Sequence, residues 1–516
     1  QRQNGFYWLN HFLSFTNFED LKSIANSKYQ FILSTDPDLP DANFFNFYGI
    51  IFDLPLALIE TFFQIETTKV YFDLRHLFTF IIFFISSIYF FNIIKNRFQN
   101  NFIIFIGLFF YIATPRIFGD SFHNNKDILF LSILTISISY LFDFFEKNNI
   151  KNLILFSFFA ALATSSRIMG IYLPLMLIIF IYIDFLSSKV NFKFFINQTI
   201  KLFFLYIFFL YLHYPYVWQL NIFDFFSWFK SFFYWMNLKI LYGGEYYSIK
   251  YLPRSYLPLW IFISTPIIVT ILSLMGCLTL LKRFFVRIIN IKENLIKSND
   301  LWNSTNEKKD VFILLSFISF FSYAIFLNVA MLSGWRHFYF LHIFLIYFAT
   351  FGVYCLKIYL QKKINLIFFY IFFITVGFFI AFENYNFHPY QSIYFNNFLS
   401  QSQTKNFQGD SASLSRSDAL KFILSEEKNN DKIIYVANSS WTPMYNGKDA
   451  LTDEEKSRII FVGQEFEKAD YIYTNYIYKS GDKYKKNYKI PITFKKIKDF
   501  QIENILIYSV YKKGNK

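Results

Sequence analysis

Long apolar stretches follow one another through most of this chain, and they limit the folds that it can adopt. A helix needs about 20 predominantly apolar residues to cross the hydrocarbon core of a bilayer. Ten stretches approach that length, so the sequence predicts an all-α polytopic membrane bundle. The predicted spans are roughly 75–95, 102–118, 128–144, 152–168, 170–187, 202–218, 258–281, 311–331, 338–357 and 364–383.

The composition supports a membrane class and argues against nucleic acid as a partner. Of the 516 residues, 54% are hydrophobic, which fits a chain surrounded by membrane lipids. The net charge of +14 comes mostly from Lys and Arg in loops that flank apolar runs, where orientation in the membrane explains them. Cys277 and Cys355 both lie inside apolar runs, so no disulfide framework or cysteine metal site is predicted.

Loop charges predict one orientation. Lys and Arg cluster in alternate loops, from Lys95 and Arg97 to Lys362 and Lys363, and the positive-inside rule makes these loops cytoplasmic. The other segments then face outward: 1–74, 114–127, the turn near Arg167, 219–257, 333–337 and everything after about 383. For residues 1–74 to lie outside, we expect a further span that precedes Gln1.

The chain divides into four parts. Residues 1–74 form an outer first loop with helices that lie in the membrane interface, residues 75–383 form the transmembrane bundle, and residues 384–399 form an outer juxtamembrane motif. Residues 400–516 predict a small extracytoplasmic α/β domain, with a helix at 415–428 capped by Ser415 or Ser417. Short β-rich runs follow at 432–440, 458–464, 469–475 and 504–512.

Residues 114–127, TPRIFGDSFHNNKD, form the most charge-dense outer segment, between two strongly apolar runs. We interpret it as a short loop at the bilayer surface, where ionisable residues are costly and usually functional. The alternative is an ordinary solvated connector. Asp120 and Asp127 are candidate catalytic carboxylates. The cationic or proton-carrying candidates beside them are Arg116, His123 and Lys126.

Other outward segments bring further ionisable groups to the same face. A cluster of cations suits a lipid-linked phosphate, and a nearby carboxylate can act as general base or hold a divalent metal ion. Several of these residues also have a structural alternative, such as snorkelling or anchoring a helix in the headgroups. The candidates for phosphate or substrate binding are Arg75, His76, Arg167, Arg336, His337, His388, Tyr390 and Gln391.

Several motifs, taken in order, resemble bacterial polyprenyl-phosphate-dependent glycosyltransferases of the GT-C superfamily. The resemblance is to the branch related to protein O-mannosyltransferases and aminoarabinose transferases, and it covers residues 1 to about 400. The motifs are YGIIFDLP at 48–55, LRHLFTF at 74–80, PRIFGDSFHNNKDILF at 115–130, SRIMGIYLP at 166–174, GWRHFYF at 334–340 and HPYQSIYFN at 388–396.

The resemblance implies an inverting membrane enzyme that takes a sugar from a polyprenyl-phosphate carrier and passes it to a lipid, glycan or protein acceptor. It implies a GT-C-like bundle in the bacterial cytoplasmic membrane. Arg75 matches a residue that contacts the donor phosphate, Asp127 an acidic residue near the active site or a metal ion, and Arg336 with His337 a turn that borders the donor pocket.

The chain departs from the family pattern at the catalytic acidic pair. That pair lies just after the first transmembrane helix, which here would place it immediately before Gln1, so the main base is expected to precede Gln1. A membrane transporter or lipid flippase is the main alternative function, and a non-catalytic assembly factor is another. A transporter would need ionisable residues at mid-membrane depth, whereas these candidates lie at span ends.

Overall fold

A computed structural model shows a bundle of apolar helices with a small mixed α/β domain after it. The described residues are 2–35, 48–221, 224, 227, 230, 238–289, 301–363, 365–427, 429, 431–478, 488–503 and 505–514.

Three helices precede the bundle among the described residues of the segment expected to be an outer loop. They are α1 (Arg2–Leu13), α2 (Glu19–Thr35) and α3 (Asp53–Phe62). Phe6, Leu9 and Leu13 of α1 pack against Ala57 of α3 in a small core of their own. These helices therefore form a packed unit.

The bundle that follows is built from apolar helices, most of which are long enough to cross a membrane. Eight helical segments are long and apolar enough to cross a membrane, or nine if one bent pair counts as a span, within the described ranges. Each of the ten predicted stretches falls largely on helix, and the multi-pass fold class is confirmed. The helices are α4 (Thr68–Arg97), α5 (Asn101–Ala113), α6 (Pro115–His123), α7 (Asp127–Lys147), α8 (Ile150–Ser166), α9 (Tyr172–Leu186), α10 (Phe192–His213), α11 (Tyr256–Ile263), α12 (Ile267–Ile289), α13 (Thr305–Phe326), α14 (His342–Leu360) and α15 (Leu366–Asn386).

The helix α7 occupies the centre of this bundle. Of its most apolar window 89% is buried, against 17% for α10 at the periphery. Its 21 residues separate Asp127 from Lys147 by about 30 Å at the usual helical rise. The position of Asp127 thus defines one end of the bundle, and that of Lys147 defines the other.

The segment 114–127 is not the loop that we expected from the sequence. It forms the helix α6, which meets α5 at an angle of 55°. Pro115 stands at the first turn of α6, where its missing N–H costs nothing, and the residue before a proline is kept out of the helical region. The bend therefore places the ionisable residues of α6 on a short helix at the end of the bundle.

The predicted span 258–281 is divided, because the helix breaks at residues 264–266 before α12 begins. Asn396 satisfies the carbonyls left at this break: its side-chain amide donates to the oxygens of Phe262 at 2.6 Å and Thr265 at 2.8 Å. Its backbone N–H donates to the oxygen of Ile263 at 2.8 Å. The segment after α15 is thus tied to the break.

A buried ion network lies at the end of the bundle opposite Asp127. The fully buried carboxylate of Asp310 accepts two bonds from Arg97, both 2.9 Å, and one of 2.8 Å from Arg283. The hydroxyl of Tyr347 donates to the same carboxylate at 2.5 Å. This network joins three helices: α4, which carries Arg97, α12, which carries Arg283, and α13, which carries Asp310.

A short hairpin and a C-terminal domain complete the described structure. The hairpin pairs β1 (Lys239–Tyr242) with β2 (Glu245–Ser248). The domain has a five-stranded sheet in the order β4-β3-β5-β7-β6, in which β3 is parallel to β4 and β5, while β7 is antiparallel to β5 and β6. Its elements are α16 (Gln401–Thr404), α17 (Ser415–Glu426), β3 (Ile434–Asn438), α18 (Asp453–Ser457), β4 (Ile459–Phe461), β5 (Tyr471–Thr474), β6 (Phe494–Ile502) and β7 (Ile505–Lys513).

The helix predicted at 415–428 is found as α17 over Ser415–Glu426, but its predicted cap is wrong. The first backbone N–H groups of α17 are satisfied by Asp410, which accepts from Leu414 at 2.9 Å and from Ser415 at 3.0 Å. An acidic side chain here also complements the positive end of the helix dipole. The residue that caps α17 therefore lies five positions before it.

Candidate functional site

A cavity of about 500 Å³ opens at the end of the bundle where α6 ends and α7 begins. Eight of the residues singled out from the sequence line it, so the fold brings together motifs that are more than 200 positions apart. The lining residues are Tyr48, Arg116, Asp120, His123, Asn124, Asn125, Lys126, Asp127, Arg167, Leu332, Ser333, Arg336, His337, Tyr339, Ser392, Ile393 and 409–412.

Asp127 is held in place from several sides. The side-chain oxygen of Asn124 accepts from the backbone N–H of Asp127 at 3.1 Å, and the side-chain amide of Asn124 donates to the Asp127 carboxylate at 3.0 Å. These two hydrogen bonds stabilise the turn formed by the NNKD sequence. Arg167, just after α8, forms an ion pair with Asp127, and Arg336 Nε lies 3.9 Å from the other carboxylate oxygen. As the first residue of α7, Asp127 is also stabilised by the helix dipole.

Asp120 faces the same cavity from the last turns of α6. Its carboxylate lies 3.0 Å from Nε2 of His123, one helical turn away. Tyr339 hydrogen-bonds to Asp120 from the opposite side. The carboxylate is thus fixed between an imidazole and a phenol, both of which border the cavity.

Arg116 is nine-tenths buried and points its guanidinium between two aromatic rings. Its carbon Cζ lies 5.1 Å from the ring centre of Trp260 and 5.3 Å from that of Phe395, within the range of cation–π attraction. Nη2 donates to the carbonyl of Tyr394 at 3.0 Å. No ion pair of Arg116 is found in the parts of the chain that the structure describes, so its charge is available to an anion.

Three guanidinium groups at the cavity carry a buried donor that has no hydrogen-bond acceptor among the described residues. These donors are the Nε atoms of Arg116, Arg167 and Arg336. A buried donor without an acceptor costs about 1–3 kcal/mol. An anion with several oxygens, placed in the cavity, is the kind of ligand that would satisfy them.

Lys126 and Tyr48 form another part of the wall. The ammonium group of Lys126 lies 4.1 Å from the ring centre of Tyr48. Burial acts to raise the pKa of Tyr48, but the positive charges of Lys126, Arg167 and Arg336 outweigh it and lower that pKa. The shift reports a positive potential at this side of the cavity.

Arg75 and His76 lie apart from this cavity. Arg75 forms an ion pair of 2.9 Å with Asp53, and its Nε lies 3.9 Å from the carboxylate of the fully buried Glu60. Arg2 also pairs with Glu60, at 2.8 Å. His76 is exposed. The structure therefore places Arg75 in a second ionic cluster, at the junction of α1, α3 and α4.

His388, Tyr390 and Gln391 do not line the cavity either. Gln391 packs on Gly119, where an added Cβ would come within 2.9 Å of the Cβ of Gln391, and its amide donates to the carbonyl of Asn384 at 2.9 Å. Tyr390 donates to Asp418 of the C-terminal domain. His388 is exposed. These residues support the wall, to which their neighbours Ser392 and Ile393 contribute directly.

Residues 409–412 of the C-terminal region line the cavity and were missed by sequence reasoning, which assigned no chemistry to that domain. The carbonyl of Asp410 accepts a bond of 3.0 Å from the amide of Asn475, which follows β5. No local motif marks this segment. Tyr48 and Tyr339 were also missed as site residues, although both lie inside motifs that carried the family resemblance.

The residues present do not form an evident metal site. No group of three or more His, Cys, Asp or Glu side chains converges in the described ranges. The carboxylates of Asp120 and Asp127 each already have a histidine or arginine partner. We therefore derive no step that passes through a metal ion.

Comparisons with known proteins find a family match over part of the chain. Residues 55–214 match the model of a family described as dolichyl-phosphate-mannose-protein mannosyltransferase. No curated protein matches the chain. The structure is similar, at a TM-score of 0.39 and 8% identity, to a crystal structure of ArnT from Cupriavidus metallidurans bound to undecaprenyl phosphate, over 90% of this chain and 88% of that one. The crystal structure of the apo state of ArnT from Cupriavidus metallidurans gives a TM-score of 0.37 and 7% identity, over 90% of this chain and 87% of that one.

The family match covers part of the bundle, and the helical fold is that of a multi-pass membrane protein; together they support a glycosyltransferase. More particularly, this match bears out the resemblance to protein O-mannosyltransferases, over a segment that runs from α3 to the residue after α10.

Proposed function

We propose that this chain transfers a sugar from a polyprenyl-phosphate carrier to an acceptor hydroxyl at the outer face of the bacterial cytoplasmic membrane. The observation that carries the proposal is the cavity at the start of α7, where four basic side chains meet the carboxylates of Asp120 and Asp127. The cations are Arg116, Lys126, Arg167 and Arg336. A lipid-linked phosphate is an anion that can reach a cavity at the end of a membrane bundle.

The leaving phosphate is the group that these cations would stabilise. As the acceptor oxygen forms its bond to the anomeric carbon, the bond from that carbon to the phosphate oxygen breaks, and both electrons leave with the polyprenyl phosphate. Arg116, Lys126 and Arg336 face the developing negative charge. Donors fixed in advance around such a charge lower the barrier without reorganising during the reaction.

The proton of the acceptor hydroxyl has to be taken up by a base, and a carboxylate can serve as that base. Asp127 is bound by Arg167 and Asn124, so it suits orientation of the acceptor rather than proton transfer. Asp120 suits proton transfer better because His123, 3.0 Å away, can pass the proton on. In this proposal Asp120 takes the proton of the acceptor hydroxyl.

The distribution of charge supports an outer location for the cavity. The cytoplasmic assignment rests on Lys and Arg loops, and the network of Arg97 and Arg283 lies at the end of the bundle opposite the cavity. A lipid flippase would instead need ionisable groups along a path at mid-depth. The position of the cavity at helix ends favours the transferase.

The test measures donor binding and transfer with the full-length protein in detergent. Polyprenyl-phosphate-linked sugars, radiolabelled in the sugar, are incubated with the protein and a membrane extract, and donor consumption is followed. We expect one donor to be consumed and Arg336→Ala to raise the KM for it about ten-fold or more, since a charge-assisted bond contributes about 1.5–3 kcal/mol.

Arg254→Ala is the matched control, because Arg254 is an exposed arginine that lies outside this cavity. It should leave KM unchanged. The proposal is wrong if folded protein consumes no donor, or if Arg336→Ala and Arg254→Ala behave alike.

A further inference from the structure

A second cavity, of about 470 Å³, lies in the C-terminal domain. Half of its lining residues are tyrosines, and its volume is in the range of small-molecule sites. The lining consists of Ser439, Thr474, Tyr476, Tyr478, Tyr488, Lys489, Ile490 and Tyr511.

The cavity lies where strands end in the sheet. Ser439 directly follows β3, and Thr474 is the last residue of β5; these two strands run parallel. The other neighbour of β5 is β7, which is antiparallel and contributes Tyr511. In open α/β sheets, ligands usually bind at the carboxyl ends of the parallel strands.

The tyrosines present both ring faces and hydroxyl groups. The rings of Tyr478 and Tyr488 lie 5.4 Å apart at 39°. The hydroxyl of Tyr476 is hydrogen-bonded to Ser509 at 2.6 Å, and Tyr476 itself has a left-handed φ of 62° that a non-glycine residue adopts only where its surroundings enforce it. Burial raises the pKa of Tyr478, so its phenol remains protonated near neutral pH.

We propose that this cavity binds a carbohydrate, as part of the acceptor of the transfer reaction. A pyranose has apolar C–H faces that pack on aromatic rings and a rim of hydroxyls that bond to phenols and to Lys489. Tyrosine offers both surfaces and loses little side-chain entropy on binding. Among the described residues that line the cavity, Lys489 is the single cation and none is a carboxylate, which fits a neutral sugar better than a phosphate.

Two adjacent residues connect this cavity to the basic one. Thr474 lines the tyrosine cavity, and the next residue, Asn475, donates to the carbonyl of Asp410 at 3.0 Å and to Ser413 at 3.2 Å. Asp410 itself lines the basic cavity. The contacts that position Asp410 at the basic cavity thus begin one residue from the tyrosine cavity; the acceptor role rests on the proposed function.

The experiment measures saccharide binding without any donor. Full-length protein in nanodiscs is mixed with neutral di- and trisaccharides of glucose, mannose and N-acetylglucosamine, and binding is followed by saturation-transfer NMR and calorimetry. We expect at least one to bind, Tyr478→Ala to raise its Kd about ten-fold, and Tyr478→Phe, which keeps the ring, to raise it less than about three-fold. Tyr445→Ala, an exposed tyrosine of the same domain outside the cavity, should change nothing.

Binding of none of the saccharides, or equal binding by wild type and Tyr478→Ala, would overturn the proposal. Arg336→Ala separates it from the proposed function, because that variant should lose affinity for the lipid-linked donor and keep its affinity for the free saccharide. If Tyr478→Ala instead weakens donor binding and leaves free saccharide binding intact, the cavity serves the donor, and the acceptor assignment is wrong.

Discussion

Arg167, at the end of α8, forms an ion pair with Asp127, the first residue of α7. Both side chains are largely buried, so each charge depends on the other. Removing one partner of a buried pair costs about 3–5 kcal/mol, because it leaves an uncompensated charge. The pair thus links the structural stability of the site to its chemistry.

We expect Arg167→Gln and Asp127→Asn to lower the melting temperature individually, and the double variant to recover part of that loss. Transfer activity should not recover, because the cavity still lacks both charges. Thermal unfolding in detergent and donor consumption are measured on the same samples. A double variant with restored activity would contradict a chemical role for the pair.

Gly334 is required by its backbone conformation beside Arg116. Its φ is +72°, and an added Cβ would lie 3.4 Å from Trp260 Cε3 and 3.5 Å from Arg116 Nη1. A left-handed conformation costs a residue with a side chain about 1–2 kcal/mol. Gly334→Ala should therefore destabilise the turn that carries Arg336 and raise the KM for donor.

The comparison for Gly334 is Gly377→Ala in α15. There the nearest atom to an added Cβ, Phe109 Cε1, is 3.9 Å away, and helical alanine is favoured over glycine. That variant should be as stable as wild type or slightly more so, with unchanged kinetics. Equal loss of activity in both variants would show that the conformation of Gly334 has no special importance.

Asp310 balances the charges of Arg97 and Arg283 far from the cavity. Asp310→Asn should lower the melting temperature strongly, because two partly buried guanidinium groups lose their fully buried counterion, whereas Tyr347→Phe removes one hydrogen bond and should cost about 1–3 kcal/mol. The KM for donor in the folded fraction should not change. Thermal unfolding and donor kinetics test this; an Asp310→Asn protein with wild-type stability would contradict it.

Glu427 makes the C-terminal domain sensitive to acid. Burial works against its carboxylate, but bonds from Tyr471, Lys512 and Lys432 outweigh it and lower the pKa of Glu427 to about 2. Because the folded pKa lies below the usual value of 4.5, the stabilisation is complete above that pH and is lost as the pH falls toward 2.

Glu427→Gln should therefore be less stable than wild type at pH 7, and the difference should shrink steadily between about pH 4.5 and 2. Urea unfolding of the full chain, followed at Trp441 within this domain, provides the measurement. A difference that is independent of pH would exclude the carboxylate as its cause.

Much of the bundle could be predicted, because the length of an apolar run is set by the thickness of the bilayer. Breaks were harder. Pro115 could have indicated the bend between α5 and α6, and Gly243 with Gly244, both of positive φ, could have indicated the hairpin of β1 and β2. The strand β6 was missed because its lysines obscure the alternation expected of a strand; charges of this kind are typical of an edge strand.

The candidate site was predictable where single motifs carry their own charges, as in 114–127. It was not predictable where residues act through distant partners. Asp53 and Glu60 stand in a largely apolar stretch of sequence, yet they are the partners that hold Arg75 in its own cluster. Asp410 carries no local signal, since only folding brings it beside Asp120.

Residues 409–412 are made by the ribosome after the last apolar helix, Leu366–Asn386. Their position depends on Asn475, which is made later still. A partly synthesised chain thus contains the basic residues of the bundle before the wall that completes their cavity exists. The order of synthesis by itself delays assembly of the site until nearly the whole chain has been made.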